Sequence, residues 1–151
     1  MPYPKSVLLK ILKTNTNEID APESDYLYVS LSQLPASGNG LLTAINIYKD
    51  EIISLFKGEI LTNSQAVLRA KKGKDKYFIN MLDGSIMDSM KTKCFAKYAN
   101  DAKGSKNLYF KNNSKIGLDD NDNVCLIATR KIKMNEEIFC GYGKKYWEKH
   151  S

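Results

Sequence analysis

The sequence predicts a mainly β protein with short helices between small sheets. Two observations carry that prediction. Apolar residues gather in short runs rich in Val, Ile, Leu, Tyr and Phe, each bounded by turn-forming residues. Only a few stretches are long and regular enough to be helices. With 151 residues, 42% of them apolar and 26% charged, residues 1–151 suit one domain with a substantial core.

In chain order, the expected strands are 7–12, 26–31, 41–45, 52–57 and 76–82. The clearest helix is 64–72, with Ser64 or Asn63 as its cap. A second, shorter helix is expected at 94–100. Asp119, Asp120, Asn121, Asp122 and Asn123 form a polar cluster that reads as a hairpin turn between strands at 115–118 and 123–129. A last helical turn is expected at 144–149. No repeat or internal linker interrupts this pattern.

Several function classes are disfavoured. The single histidine, His150, is penultimate, where chains fray, so Ser-His-Asp and Cys-His catalysis have no partner. Cys94, Cys125 and Cys140 are widely spaced and too few for a closed zinc site; they read as reduced, buried thiols. The acidic cluster at Asp119 is a poor calcium loop, because Val124 and Arg130 stand where Gly and Glu are needed. Gly38, Asn39 and Gly40 lack a third glycine at the dinucleotide spacing, where Thr43 stands. No secretory leader and no run of membrane-spanning length is read, so an intracellular protein is expected. The formal charge is +6, partly from Arg69, Lys71, Lys72, Lys74 and Lys76. That run is either a solvated helix end or a contact for chromatin or nucleic acid.

Four features follow one another in a telling order. Gly38, Asn39, Gly40, Leu41 and Leu42 precede Tyr48, Lys49, Asp50 and Glu51, then Phe56, Lys57, Gly58 and Glu59. Tyr77, Phe78 and Ile79 run on towards Ile86, Met87 and Asp88. Phe95, Ala96, Lys97, Tyr98, Ala99, Asn100 and Asp101 precede Asn112, Asn113 and Ser114. The last block runs from Ala128, Thr129, Arg130, Lys131 and Ile132 through Glu136, Glu137, Ile138, Phe139, Cys140 and Gly141 to Tyr142 and Gly143. This order resembles the SET domain of protein lysine methyltransferases, over about residues 30–147. The chain departs from the family's pattern at four positions. Asp101 stands for the usual His, Phe56 for a Tyr, Asn112 for the Pro before Asn113, and Gly141 for an Asp. The cysteine-rich zinc segment that follows many such domains is absent.

The resemblance implies a β-clip-like SET fold in which the segments around Asn100 and Tyr142 meet in a knot-like crossing. It also implies S-adenosylmethionine as cofactor and a lysine of a histone tail or another protein as substrate. A nuclear location is then favoured over a cytoplasmic one. Methyl transfer to an amine needs alignment and a neutral nucleophile. A lysine near its ordinary pKa is protonated at pH 7, an obstacle of roughly 4–5 kcal/mol. An aromatic channel lowers that pKa by desolvation.

By this resemblance Tyr142 lies beside the transferring methyl as the catalytic residue; otherwise it is a buried strand-end tyrosine. Tyr77 and Tyr98 are channel candidates or plain core. Cys140 takes the place where an aromatic commonly limits methylation, so more than one methylation round is expected. Gly38, Asn39 and Gly40 would admit the cofactor's amino-acid end, although Asn39 and Gly40 alone would read as a hairpin turn. Asn100 would bind the cofactor's amino and carboxylate ends, or cap a helix. Asp101 would contribute backbone groups, and its carboxylate would face a positive sulfonium. Trp147 would stack on adenine or anchor the C-terminus. Glu59 and Asp88 are read as structural, with Glu136 and Glu137 bracing the turn before the last strand. Two rival readings remain: a SET-fold binding module without catalysis, and a basic nucleic-acid-binding domain.

Overall fold

The computed structural model of the chain describes residues 17–104 and 109–141. The expected strand at 7–12 and helical turn at 144–149 lie outside the described residues, as do Tyr142, Trp147 and His150. The described part is strand-rich. Helix α1 (Glu23–Tyr26) leads into β1 (Leu27–Leu31), β2 (Asn39–Thr43), β3 (Ile52–Leu55) and β4 (Glu59–Leu61). Helix α2 (Asn63–Lys71), β5 (Phe78–Asn80) and β6 (Ile86–Asp88) follow. A 3-10 turn at Ala96–Tyr98 precedes β7 (Ser114–Leu118), β8 (Val124–Ala128), β9 (Glu137–Ile138) and β10 (Cys140–Gly141).

The strands form three small sheets, ordered β1-β2-β9, β10-β7-β8-β3 and β4-β6-β5. All pairings are antiparallel except β10 with β7. One apolar cluster joins the first two sheets through Leu41, Ile47, Ile53, Leu126, Ile132, Ile138 and Cys140, all fully buried. Cys94, Cys125 and Cys140 are free and buried, as read from their spacing. Among the described residues no helix is long and apolar enough to cross a membrane.

The differences from the sequence reading have local causes. Asn39 and Gly40 are not a turn: they open β2, pairing with Leu31 and Ser30. The hairpin loop lies upstream and closes where the Ser32 amide donates to Gly38 O at 2.8 Å. Helix α2 is capped by Thr62, not by Asn63 or Ser64. Gln65 N donates to Thr62 Oγ1 and Thr62 N donates to Gln65 Oε1, a reciprocal capping box that places the start one residue earlier. The helix expected at 94–100 shrinks to a single 3-10 turn, because Ala99 is extended (φ −69°, ψ 117°). The hairpin at Asp119 forms as read: its carboxylate accepts the amides of Asn121 and Asn123, both at 2.9 Å.

Candidate functional site

The last described segment runs between two partners far from it in sequence. On one side Phe139 bridges Asn100 in parallel register, and Cys140 N donates to Asn100 O at 2.8 Å. On the other side Asn113 N and Ser114 N each donate to Phe139 O at 3.0 Å. The Asn113 side chain closes the arrangement: its Nδ2 donates to Glu137 O at 2.9 Å and its Oδ1 accepts from Phe139 N at 2.8 Å. Asn113 is fully buried. A buried amide with donor and acceptor both matched fixes one register of the crossing segment.

Asn100 then ties this crossing to β2. Its Nδ2 donates to Asn39 O at 2.9 Å, across 61 residues of sequence. The sequence reading of Asn100 as a helix cap is replaced by this bridge, since no helix ends there. Asn39, Asn100 and Cys140, drawn from three motifs, are thus connected by hydrogen bonds. Gly141 leads on to Tyr142. The three elements expected to form one cofactor edge are therefore adjacent.

The glycines have separate reasons. Gly38 sits at φ +66°, and a methyl group placed on its Cα would meet nothing within 4 Å, so backbone conformation selects it. Gly40 is selected by crowding: a Cβ there would overlap Glu137 Oε2 and sit 2.9 Å from Glu137 Cδ. Glu137 is fully buried, accepting from Ser32 Oγ at 2.6 Å and Gln33 N at 2.7 Å. It lies in β9 and braces the β1–β2 loop, whereas Glu136 braces the turn at 133–136 by accepting Lys133 N and pairing with Arg130, both at 2.9 Å.

Asp101 is buried, and its carboxylate turns onto its own chain. Oδ1 accepts from Lys103 N and from Asn112 Nδ2, each at 2.8 Å. Tyr77 and Tyr98 meet edge to face, 6.4 Å apart. The faces proposed for a substrate lysine already hold a cation: Lys97 Nζ lies 5.3 Å from each ring centre. That ammonium also donates to the carbonyls of Ser89 and Thr92 at 3.0 Å and of Met90 at 3.4 Å. Tyr98 packs against the main core, beside the cluster that contains Cys140. Burial pushes the Cys140 thiol up to about 12, so it is a filler of space and not a nucleophile.

The basic run divides. Lys71, Lys72, Lys74 and Lys76 are exposed. Arg69 is taken up by Glu59 at 3.2 Å and by buried Asp88 at 2.8 Å, which makes those two acids structural. The hydrogen bond from Arg69 holds the Glu59 carboxyl below its usual range. Sequence reasoning overlooked Lys97 and Asn113. Asn113 was in plain view in its motif, but only its burial shows why an amide is needed.

Comparison with known proteins places the chain in a family and a fold. A family model for the SET domain matches residues 38–143. No curated protein matches the sequence. Among solved structures, a humanized mutant of the Chaetomium thermophilum Polycomb Repressive Complex 2 bound to an inhibitor is similar over 78% of this chain, with TM-score 0.65 and 24% identity. Apo ctPRC2 with substitutions in Ezh2 is similar over 82%, with TM-score 0.67 and 25% identity. The chain spans about a sixth of the length of those solved chains, 15% and 16% respectively.

Proposed function

The chain belongs to the SET-domain family, a family of protein lysine methyltransferases, and we propose that it transfers a methyl group from S-adenosylmethionine to a lysine of another protein. One observation carries the proposal: Asn39, Asn100 and Cys140 are joined by hydrogen bonds at the point where the chain enters Tyr142. The residues suit the cofactor's amino-acid end. Asn100 donates one amide hydrogen to Asn39 O and would offer its Oδ1 to an ammonium, while Gly38 has no side chain to block the approach.

When bound, S-adenosylmethionine supplies an electrophilic methyl on a sulfonium. Gly38, Asn39, Asn100 and Asp101 would hold it through backbone and amide groups, and by the family resemblance Trp147, which lies outside the described residues, would meet its base. Tyr142 orients the incoming amine. The apolar surroundings of Cys140 and Tyr98 keep water out and favour the neutral amine. Lys97, fixed beside Tyr77 and Tyr98, disfavours a second positive charge there and so works in the same direction.

Calorimetric titration with S-adenosylmethionine tests the reading. Wild-type protein is expected to bind in the micromolar range, and Asn100→Ala to weaken binding about 10- to 100-fold by removing one charge-assisted bond. Well-folded wild type without binding would overturn the proposal. Cys140 leads to a second expectation. It is smaller than Phe or Tyr, so mass spectrometry of the product should show dimethyl- or trimethyl-lysine, and a purely monomethylated product would refute that reading.

The substrate is proposed to be a histone tail or another protein, with a nuclear setting. Lys71, Lys72, Lys74 and Lys76 are proposed as the contact for chromatin or nucleic acid, without Arg69. The rival reading, a SET-fold module that binds the cofactor but does not turn over, draws on the changes at Asp101 and Gly141. Binding without methylation of any lysine substrate would favour it.

A further inference from the structure

Three of the positions at which the sequence departs from the family's pattern meet at one side chain, Asn112. Its Nδ2 donates to Asp101 Oδ1 at 2.8 Å, and its Oδ1 accepts from Ala102 N at 2.8 Å. A Cβ on Gly141 would lie 3.2 Å from Asn112 Nδ2, so the glycine leaves room for this amide. Lys103 N closes a second bond on Asp101 Oδ1. The amide therefore clamps the turn that follows Asn100 and rests against the strand that leads into Tyr142.

We infer that Asn112 is a positioning residue for the methyl-transfer site, holding the Asn100–Asp101 turn and the approach to Tyr142 in one fixed relation. The inference rests on the proposed function. Its physical basis is matching. A proline at 112 has no amide side chain, and an acid at 141 would crowd one. Asp101, in turn, offers an acceptor that the amide at 112 meets as a donor. The three residues act as a set, and changing one alone should break what the others are built for. In this arrangement the Asp101 carboxylate is directed onto its own chain and not onto the cofactor's charge.

The test uses the full chain and S-adenosylmethionine, with thermal unfolding followed in parallel. Asn112→Ala should weaken cofactor binding about tenfold in the folded protein, because the Asn100 turn is no longer held. Asn112→Asp keeps the shape and the acceptor for Ala102 N but sets a carboxylate against the Asp101 carboxylate, so it should weaken binding at least as much as Asn112→Ala, a loss that a merely space-filling role would not give. If Asn112→Ala does not fold, Asn112→Ser replaces it in the same comparison. Unchanged affinity in the folded alanine or serine variant overturns the inference while leaving the proposed function intact. So does a folded Asn112→Asp that binds within about threefold of wild type. Absence of binding by folded wild type overturns both.

Discussion

Replacing Asn113 with alanine should lower the stability of the protein by about 2–5 kcal/mol, more than any other single polar truncation in the crossing. The side chain holds Glu137 O and Phe139 N, both in the buried last segment, at 2.9 and 2.8 Å. Alanine leaves a carbonyl and an amide without partners in a region with no exposure. Each orphaned buried group costs about 1–3 kcal/mol. A domain of this size is stable by only about 5–15 kcal/mol, so the loss threatens folding itself. Asn113→Asp should do no better, because it puts a carboxylate against the Glu137 carbonyl. Denaturant unfolding measures the result: the midpoint should fall with little change in slope. A loss under about 1 kcal/mol would mean that water or a backbone shift replaces the amide.

Gly40→Ala is the second large effect, and its cause is a carboxylate. The new methyl would overlap Glu137 Oε2 and would also lie 3.2 Å from Ser32 Cβ. Glu137 cannot swing aside cheaply, since Ser32 Oγ and Gln33 N hold it at 2.6 and 2.7 Å. Giving up both charge-assisted bonds costs about 3–5 kcal/mol. Gly38→Ala provides the contrast. It meets nothing within 4 Å but sits at φ +66°, so it should cost only about 1–2 kcal/mol of backbone strain. Combining Gly40→Ala with Glu137→Ala should cost no more than Glu137→Ala alone, because the added methyl enters the space left by the carboxylate. Additive losses in that cycle would show that the clash lies elsewhere. Asn39 carries the acceptor for Asn100, so Gly40→Ala should also weaken cofactor binding.

Much of the fold was legible without coordinates. β1, β3, β7 and β8 fall where short apolar runs place them, because a strand is declared by its own side chains and by the turn residues that bound it. The turn at Asp119 is equally local. What failed were elements that depend on distant partners. Glu59–Leu61 and Ile86–Asp88 become strands because each pairs with the other, and neither run is strongly patterned alone. The stretch 94–100 has helical composition, yet it turns extended at Ala99 so that Asn100 can bridge Phe139 and Asn39. That pairing wins over local preference.

The candidate site divides in the same way. The order of motifs in the sequence determined the family, the cofactor class expected of it, and the residues to inspect at Gly38, Asn100, Cys140 and Tyr142. Only the tertiary structure decided what those residues touch. It assigned Gly40 to the buried Glu137 carboxylate, turned Asp101 onto Asn112, committed Arg69 to Asp88 and seated Lys97 on Tyr77 and Tyr98. The physical reason is range. Turns, caps and apolar periodicity are settled within a few residues of sequence. A buried hydrogen bond or a steric limit is settled by groups 11 to 97 positions apart that meet only when the chain has folded.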